Sequence, residues 1–451
     1  MTISLNQAEI TVLATYHSEV ERELVDNILA FYINRTLDPI NGGFYGLIAN
    51  DLTVDDDAPK GLIQVTRILW AFAQSYRILG NPTYREIAER AYAYLLSNFW
   101  NDEFGGLFWM LDTGGRPIET FKMVYGQAFG IYGLSEHALA TGDPFSLAKA
   151  VELYRLLEAH AVDREHEGYW EACRPNWTPD PTLAVDTVRQ PVLKSMNTHL
   201  HVMEAYTNLL RVWPDDGLAA RLSSLIRITI DKIVAPSRHF ALHFDATWRR
   251  LNDLISYGHD IEGSWLLVEA AEVLGNPDLL AEAETVALNM AEATLAEGID
   301  TDGGIVNEGD LTGIVNFDKD WWPQAEAMVG FLNAFQLTGD RRFLDQSLLS
   351  WHFVKQTIID RPERDPDVAH EARDWFWGVT RDGRPRNLQR TGPWKGPYHN
   401  GRACMEVMRR VDALLAPTSP DWQAQGHAPT PIVVSAARPP SETVPLADLA
   451  G

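Results

Sequence analysis

Apolar positions recur along the chain with a helical period in twelve stretches. Six of them, at 64–79, 124–140, 196–212, 259–274, 323–337 and 398–414, each follow a glycine turn flanked by aromatics. The turns read Gly42-Gly43-Phe44-Tyr45, Gly105-Gly106-Leu107-Phe108-Trp109, Gly168-Tyr169-Trp170 and Gly303-Gly304-Ile305, with degenerate copies at His239-Phe240 and Trp375-Phe376-Trp377-Gly378. Several of the helices end in a matching stop: Gly80-Asn81-Pro82, Gly142-Asp143-Pro144, Gly275-Asn276-Pro277 and Gly339-Asp340. Glycine supplies the left-handed cap there and proline bars continuation. A second helix follows each stop, at 83–98, 147–159, 218–234, 279–295 and 342–358. The sixth unit borrows its partner from the N-terminus, at 7–35.

Six helix hairpins, recurring at roughly 60–75 residues, predict an all-α toroid in which inner helices ring a cavity and outer helices cover them. No hairpin can bury its apolar face alone, so residues 1–415 are expected to form one domain. An open solenoid is the alternative, and the otherwise unpaired N-terminal helix favours closure. Alternating strand–helix patterns are missing, which argues against parallel-sheet folds. Two segments lie outside the repeat. The stretch 360–373 is charged and reads as a solvated loop, and 416–451, with seven of the 25 prolines, reads as an extended tail.

Composition narrows the partners. Against 38 Lys and Arg stand 62 Asp and Glu, a formal charge of -24, which repels nucleic-acid backbones and anionic lipid. No signal peptide and no apolar run long enough for a bilayer are visible, and two cysteines, Cys173 and Cys404, cannot build a disulfide framework. A cytoplasmic protein, monomeric or homodimeric, is the expectation. The 15 Trp, 14 Tyr and 17 Phe cluster beside Gly and His, which suggests a lined pocket for a polyhydroxylated small molecule.

The starts of the inner helices carry polar residues that a helix start does not need: Arg67, Tyr125 and Gln127, Asn197 and His201, His259 and Glu262, Trp322 and Glu326, then His399. In a closed ring they converge on one mouth. Asn197 and His201 share a helix face, as do His259 and Glu262, so Glu262 is expected to orient His259; His199 should point sideways. No H-E-x-x-H pair appears and the histidines are spread over three units, so no metal site is expected. No nucleotide-binding glycine motif opens a helix. Histidines titrate near neutrality, and with an arginine to stabilise an enediolate they suit removal and return of a carbon-bound proton beside a carbonyl. Tryptophan faces would stack on a sugar while Glu, Asn and Arg bind its hydroxyls.

The stretches Arg67-Ile68-Leu69-Trp70, MNTHLHVMEAYTNLLRVW (196–213), YGHDIEGSWLL (257–267), DWWPQAEAMVGF (320–331) and GPWKGPYHNGR (392–402) together resemble the N-acylglucosamine 2-epimerase superfamily, within it most closely the cellobiose 2-epimerases. That resemblance implies an (α/α)6 barrel, no cofactor, and a sugar substrate epimerised at C2. It implies that His259 and His399 are the acid/base pair on opposite faces of an open-chain sugar, and that His201 assists ring opening or binds a hydroxyl. Arg67 and Asn197 would hold O1 and O2, Trp322 and Trp394 would pack on the sugar, and Tyr125 would stand at the rim. One departure is Gln64-Val65-Thr66 before Arg67, where an Asn-Ala pair is expected. Two other reactions remain open. An aldose–ketose isomerase for free mannose and glucose needs only one base, and an inverting glycoside hydrolase would draw on Asp260, Glu262, Asp320 and Glu326.

Overall fold

A computed structural model describes residues 3–183, 191–361 and 371–416. These form twelve helices: α1 (7–35), α2 (Leu62–Leu79), α3 (82–99), α4 (Val124–Thr141), α5 (Pro144–His160), α6 (Met196–Val212), α7 (216–233), α8 (Tyr257–Leu274), α9 (Pro277–Glu297), α10 (Trp321–Thr338), α11 (341–358) and α12 (His399–Leu415). The even-numbered helices pack side by side in the order α2, α4, α6, α8, α10, α12, and α12 returns to α2. The odd-numbered helices lie outside them, and α1 packs on α12 as closure requires. Tyr16 of α1 meets Ser347 of α11 at 3.3 Å, and Trp351 Nε1 donates to Glu19 (2.7 Å), which stitches the first helix to the last outer one. The fold is an (α/α)6 barrel.

The Gly-Asn/Asp-Pro tripeptides do more than stop a helix. Gly80, Gly142 and Gly275 take left-handed φ of 70°, 75° and 73° and cap the inner helices. The next residue, Asn81, Asp143 or Asn276, then caps the outer helix by accepting from backbone N–H groups two or three residues on, and the proline occupies its first position. At that position a proline loses no hydrogen bond and its fixed φ is already helical. One tripeptide thus turns the chain from inner to outer layer.

Periodicity did not reveal the two-residue strands at the mouth, which are too short to show a pattern. Lys60-Gly61, just before α2, pairs with Met110-Leu111 in the loop between α3 and α4. Lys122-Met123, Lys194-Ser195, Ile255-Ser256 and Lys319-Asp320 repeat the arrangement with the loop of the following unit. In four of the units a polar residue early in the inner helix locks the glycine turn. Gln127 accepts from Leu107 N (2.7 Å) and donates to its carbonyl (2.9 Å), and Gln324 does the same to Ile305. His199 accepts from Tyr169 N (2.9 Å) and Asp260 from Phe240 N (2.7 Å). Gln127, expected at the mouth, therefore belongs to the scaffold, because one step around the helix turns it onto the neighbouring loop. His199 points sideways as anticipated.

The lysines of these strands are buried and paired: Lys60 with Asp38 (2.7 Å), Lys194 with Asp163 (2.7 Å), Lys319 with Asp300 (2.9 Å). Lys122 is the exception. Asn101 stands where the turns of the three paired lysines carry Asp, capping Glu103 N and Phe104 N as Asp38 caps Ile40 N and Asn41 N. Lys122 Nζ is buried without a hydrogen-bond partner among the described residues, and burial pushes it down to about 7. The unfolded chain then binds more protons at this lysine between pH 7 and 10.5, so stability falls as pH drops through that range. Asn101→Asp should restore the counter-ion and raise unfolding free energy at pH 7 by about 1–3 kcal/mol, which denaturant titration against wild type will show. An unchanged midpoint would mean that Lys122 is already satisfied.

No helix among the described residues is long and apolar enough to cross a membrane. Of the charged insertion at 360–373, residues 362–370 lie outside the described residues, as does the expected tail from 417 onward.

Candidate active site

The first turns of the inner helices bring their polar side chains into one mouth. Arg67, in the second turn of α2, donates from Nη2 to Tyr125 Oη of α4 (2.8 Å) and from Nη1 to the Trp394 carbonyl. The same Nη2 lies 3.4 Å from His399 Nε2 at the start of α12. The Tyr125 ring stands 5.0 Å from that of His201 on α6 and 6.1 Å from Trp394. On the other side, the Trp322 ring lies 4.5 Å from His259 and 5.6 Å from His399, so one indole spans the two imidazoles. Asn197, His259 and Trp322 line a cavity of about 250 Å³ that also takes in Glu308 and Asp320. The Asn197 Oδ1 is buried there without a hydrogen-bond partner among the described residues.

Donor and acceptor logic assigns the protons. Arg67 can only donate, so His399 Nε2 is the acceptor, and Nδ1 carries the hydrogen it gives to Glu326 Oε1 (2.7 Å). Burial, with the positive charges of Arg67 and Arg402 nearby, holds His399 well below the usual imidazole range. It is thus neutral at pH 7, with the unprotonated Nε2 facing Arg67. His201 gives its Nδ1 hydrogen to Glu204 Oε2 (2.8 Å), and burial lowers it also. Against its own burial, Glu204 is held down to about 2 by Arg402 and His201. His259 Nδ1 pairs with Ser256 Oγ (2.7 Å), the residue that precedes α8.

Arg402, one turn along α12 from His399, ties the floor together. It reaches Glu204 on α6, Glu262 on α8 (2.6 Å) and Glu326 on α10 (2.6 Å), all buried. Glu262 does not take the place expected beside His259. A step of three residues leaves it about 60° further round the helix, turned inward to Arg402, with Oε1 3.8 Å from His399 Nδ1. Glu326, expected at substrate hydroxyls, instead accepts from His399, Arg402 and Trp265 Nε1 (3.0 Å). Burial, with Glu326 beside it, raises Glu262 well above the carboxylate range, against the pull of Arg402. Ligand atoms of Glu262, Glu326 and His399 lie within 4.8 Å of one another, which would suit a cation, but the guanidinium of Arg402 already supplies that charge.

Four residues of this floor and wall were missed: Glu204, Ser256, Tyr398 and Arg402. Tyr398 donates to Glu204 Oε1 (2.5 Å) and lies 4.6 Å, ring to ring, from His399. A signal existed for two of them, since Glu204 is three residues after His201 and Arg402 three after His399. The carboxylates considered for hydrolysis are all engaged: Asp260 with His239 (2.7 Å), Asp320 with Arg386 (2.6 Å), Glu262 and Glu326 with Arg402.

The family model described as N-acylglucosamine 2-epimerase (GlcNAc 2-epimerase) matches residues 42–401. A cellobiose 2-epimerase from Bacteroides fragilis is 43% identical over 393 residues, covering 86% of this chain and 98% of its own. The solved cellobiose 2-epimerase from Bacillus thermoamylovorans B4167 superposes with a TM-score of 0.82 at 38% identity, covering 88% of this chain and all of its own. A solved D-mannose isomerase, 23% identical, shares the fold with a TM-score of 0.73, covering 88% of this chain and 97% of its own.

Proposed function

We propose that this chain, which belongs to the N-acylglucosamine 2-epimerase family, inverts C2 of the reducing-end unit of cellobiose-type β-1,4 disaccharides. It is an isomerase of the carbohydrate 2-epimerase kind. The observation that carries the reading is the pair of imidazoles, His259 and His399, both against the Trp322 ring, with Arg67 beside His399. In this reading the open-chain sugar lies between the rings. The neutral His399 Nε2 takes the C2 proton of one epimer, Arg67 steadies the enediolate oxygen, and His259 returns a proton to the opposite face. Reaction in the other direction uses the pair in reverse. His201 and Asn197 hold hydroxyls, Trp322 and Trp394 give apolar surface for the sugar faces, and Tyr125 positions Arg67.

Incubation with cellobiose in D₂O tests this. Deuterium should enter C2 as the C2 epimer accumulates. Released monosaccharide would mean hydrolysis, and a ketose as the main product would mean a one-base isomerase.

The pH profile gives a second check. In the direction where His399 abstracts the proton, activity needs its neutral form, which persists below pH 6.5 because its proton affinity is depressed. The acid limb of kcat/KM in that direction should therefore fall well below 6.5. A limb at or above that value would remove His399 as the base.

A further inference from the structure

The C-terminal halves of the inner helices enclose a second space, on the far side of Arg402 from the mouth. It is a cavity of about 80 Å³ whose walls come from α2, α4, α6, α8 and α12. A single water needs roughly 10–15 Å³ of such space, so the cavity is several waters large. Three buried polar atoms on its walls have no hydrogen-bond partner among the described residues: Trp70 Nε1, Gln74 Oε1 and Arg402 Nε. Two are donors and one is an acceptor. Leaving such groups dry costs about 1–3 kcal/mol each, so something polar is expected to meet them.

The rim says what that is. Arg77 is closed on Glu136 (2.7 Å), Arg211 on Glu269 (2.8 Å) and Arg409 on Glu406 (2.6 Å). With every cation already paired and three carboxylates around the opening, an anion gains nothing. A halide also could not donate to Gln74 Oε1. A hydroxyl can accept from Trp70 or Arg402 and donate to Gln74 at once.

We infer that this cavity is a second binding site, distinct from the mouth, for a small neutral polyol. The site lies against the guanidinium that holds Glu204, Glu262 and Glu326, so its occupant would rest on the underside of the floor.

Xylitol, which has no carbonyl to react, is a suitable probe, titrated calorimetrically into the full-length protein. Leu139, on the cavity wall and outside the mouth, offers a blocking variant. Leu139→Trp should abolish this binding, whereas Trp322→Ala, altered at the mouth, should keep it. Should Leu139→Trp misfold, Gln74→Leu tests the same contact and should weaken binding about fivefold, as loss of one hydrogen bond gives. The inference is overturned if xylitol does not bind, leaving a water-filled cavity. It is equally overturned if binding disappears in Trp322→Ala while surviving in Leu139→Trp or unchanged in Gln74→Leu.

Discussion

Alanine in place of either His399 or His259 is expected to lower the rate of C2 inversion by about 10³-fold or more, within the 10²–10⁴-fold range of a placed general acid or base and compounded by loss of the second face. Inversion needs a proton removed from one side of C2 and returned to the other, so neither imidazole can stand in for its partner. The sharper readout is isotopic. With one histidine gone, the remaining one can still remove and return the proton on its own side. One epimer should then exchange its C2 hydrogen with D₂O while keeping its configuration. A double variant should lose exchange as well, and its rate should fall little below the worse single, because the residues act as a unit. His201→Ala should cost less, since His201 faces Tyr125 and Phe129 rather than the Trp322 side. If either alanine variant kept more than about a tenth of the activity, the two-base scheme would fail.

Arg402→Met is expected to have the largest effect on the fold. It removes the one cation shared by three buried carboxylates, Glu204, Glu262 and Glu326. Breaking a buried ion pair by deleting one partner costs about 3–5 kcal/mol, and here the orphaned groups are three. The carboxylates would take up protons, so the loss should be greatest at high pH and smaller at low pH. Activity should fall even where the protein stays folded, because Glu326 orients His399 and Glu204 orients His201. Arg402→Lys should not rescue it: an ammonium on a flexible stem cannot reach carboxylates on three helices at once. Adding Glu204→Gln and Glu262→Gln to Arg402→Met should recover melting temperature without recovering turnover. A single Arg402→Met variant with wild-type melting and kcat would show that the floor is not held this way.

The outline of the molecule was legible because its signals are local. A glycine that must sit in the left-handed region, an Asn or Asp that caps, and a proline that can only begin a helix all act within three residues, and Gly80-Asn81-Pro82 carries all three. Repetition of the glycine turns and helical stretches gives the number of hairpins, and the otherwise unpaired N-terminal helix favours a ring over an open solenoid. The polar residues at the helix starts were legible for the same reason, since equivalent positions in a repeat must meet at one end. Periodicity could not assign partners across helices. It locates a residue on its own helix but not the rotation of that helix against the next. The carboxylate beside His259 in the chain therefore went to Arg402, while His399 took its carboxylate from Glu326, a whole repeat away. Lys122 shows the same division. Its burial follows from its place in the repeat, but only packing decides that the turn it faces offers an amide where its counterparts find a carboxylate. Local stereochemistry determined the helices and their order; side-chain contacts between helices, set by the closure of the ring, decided which charges meet.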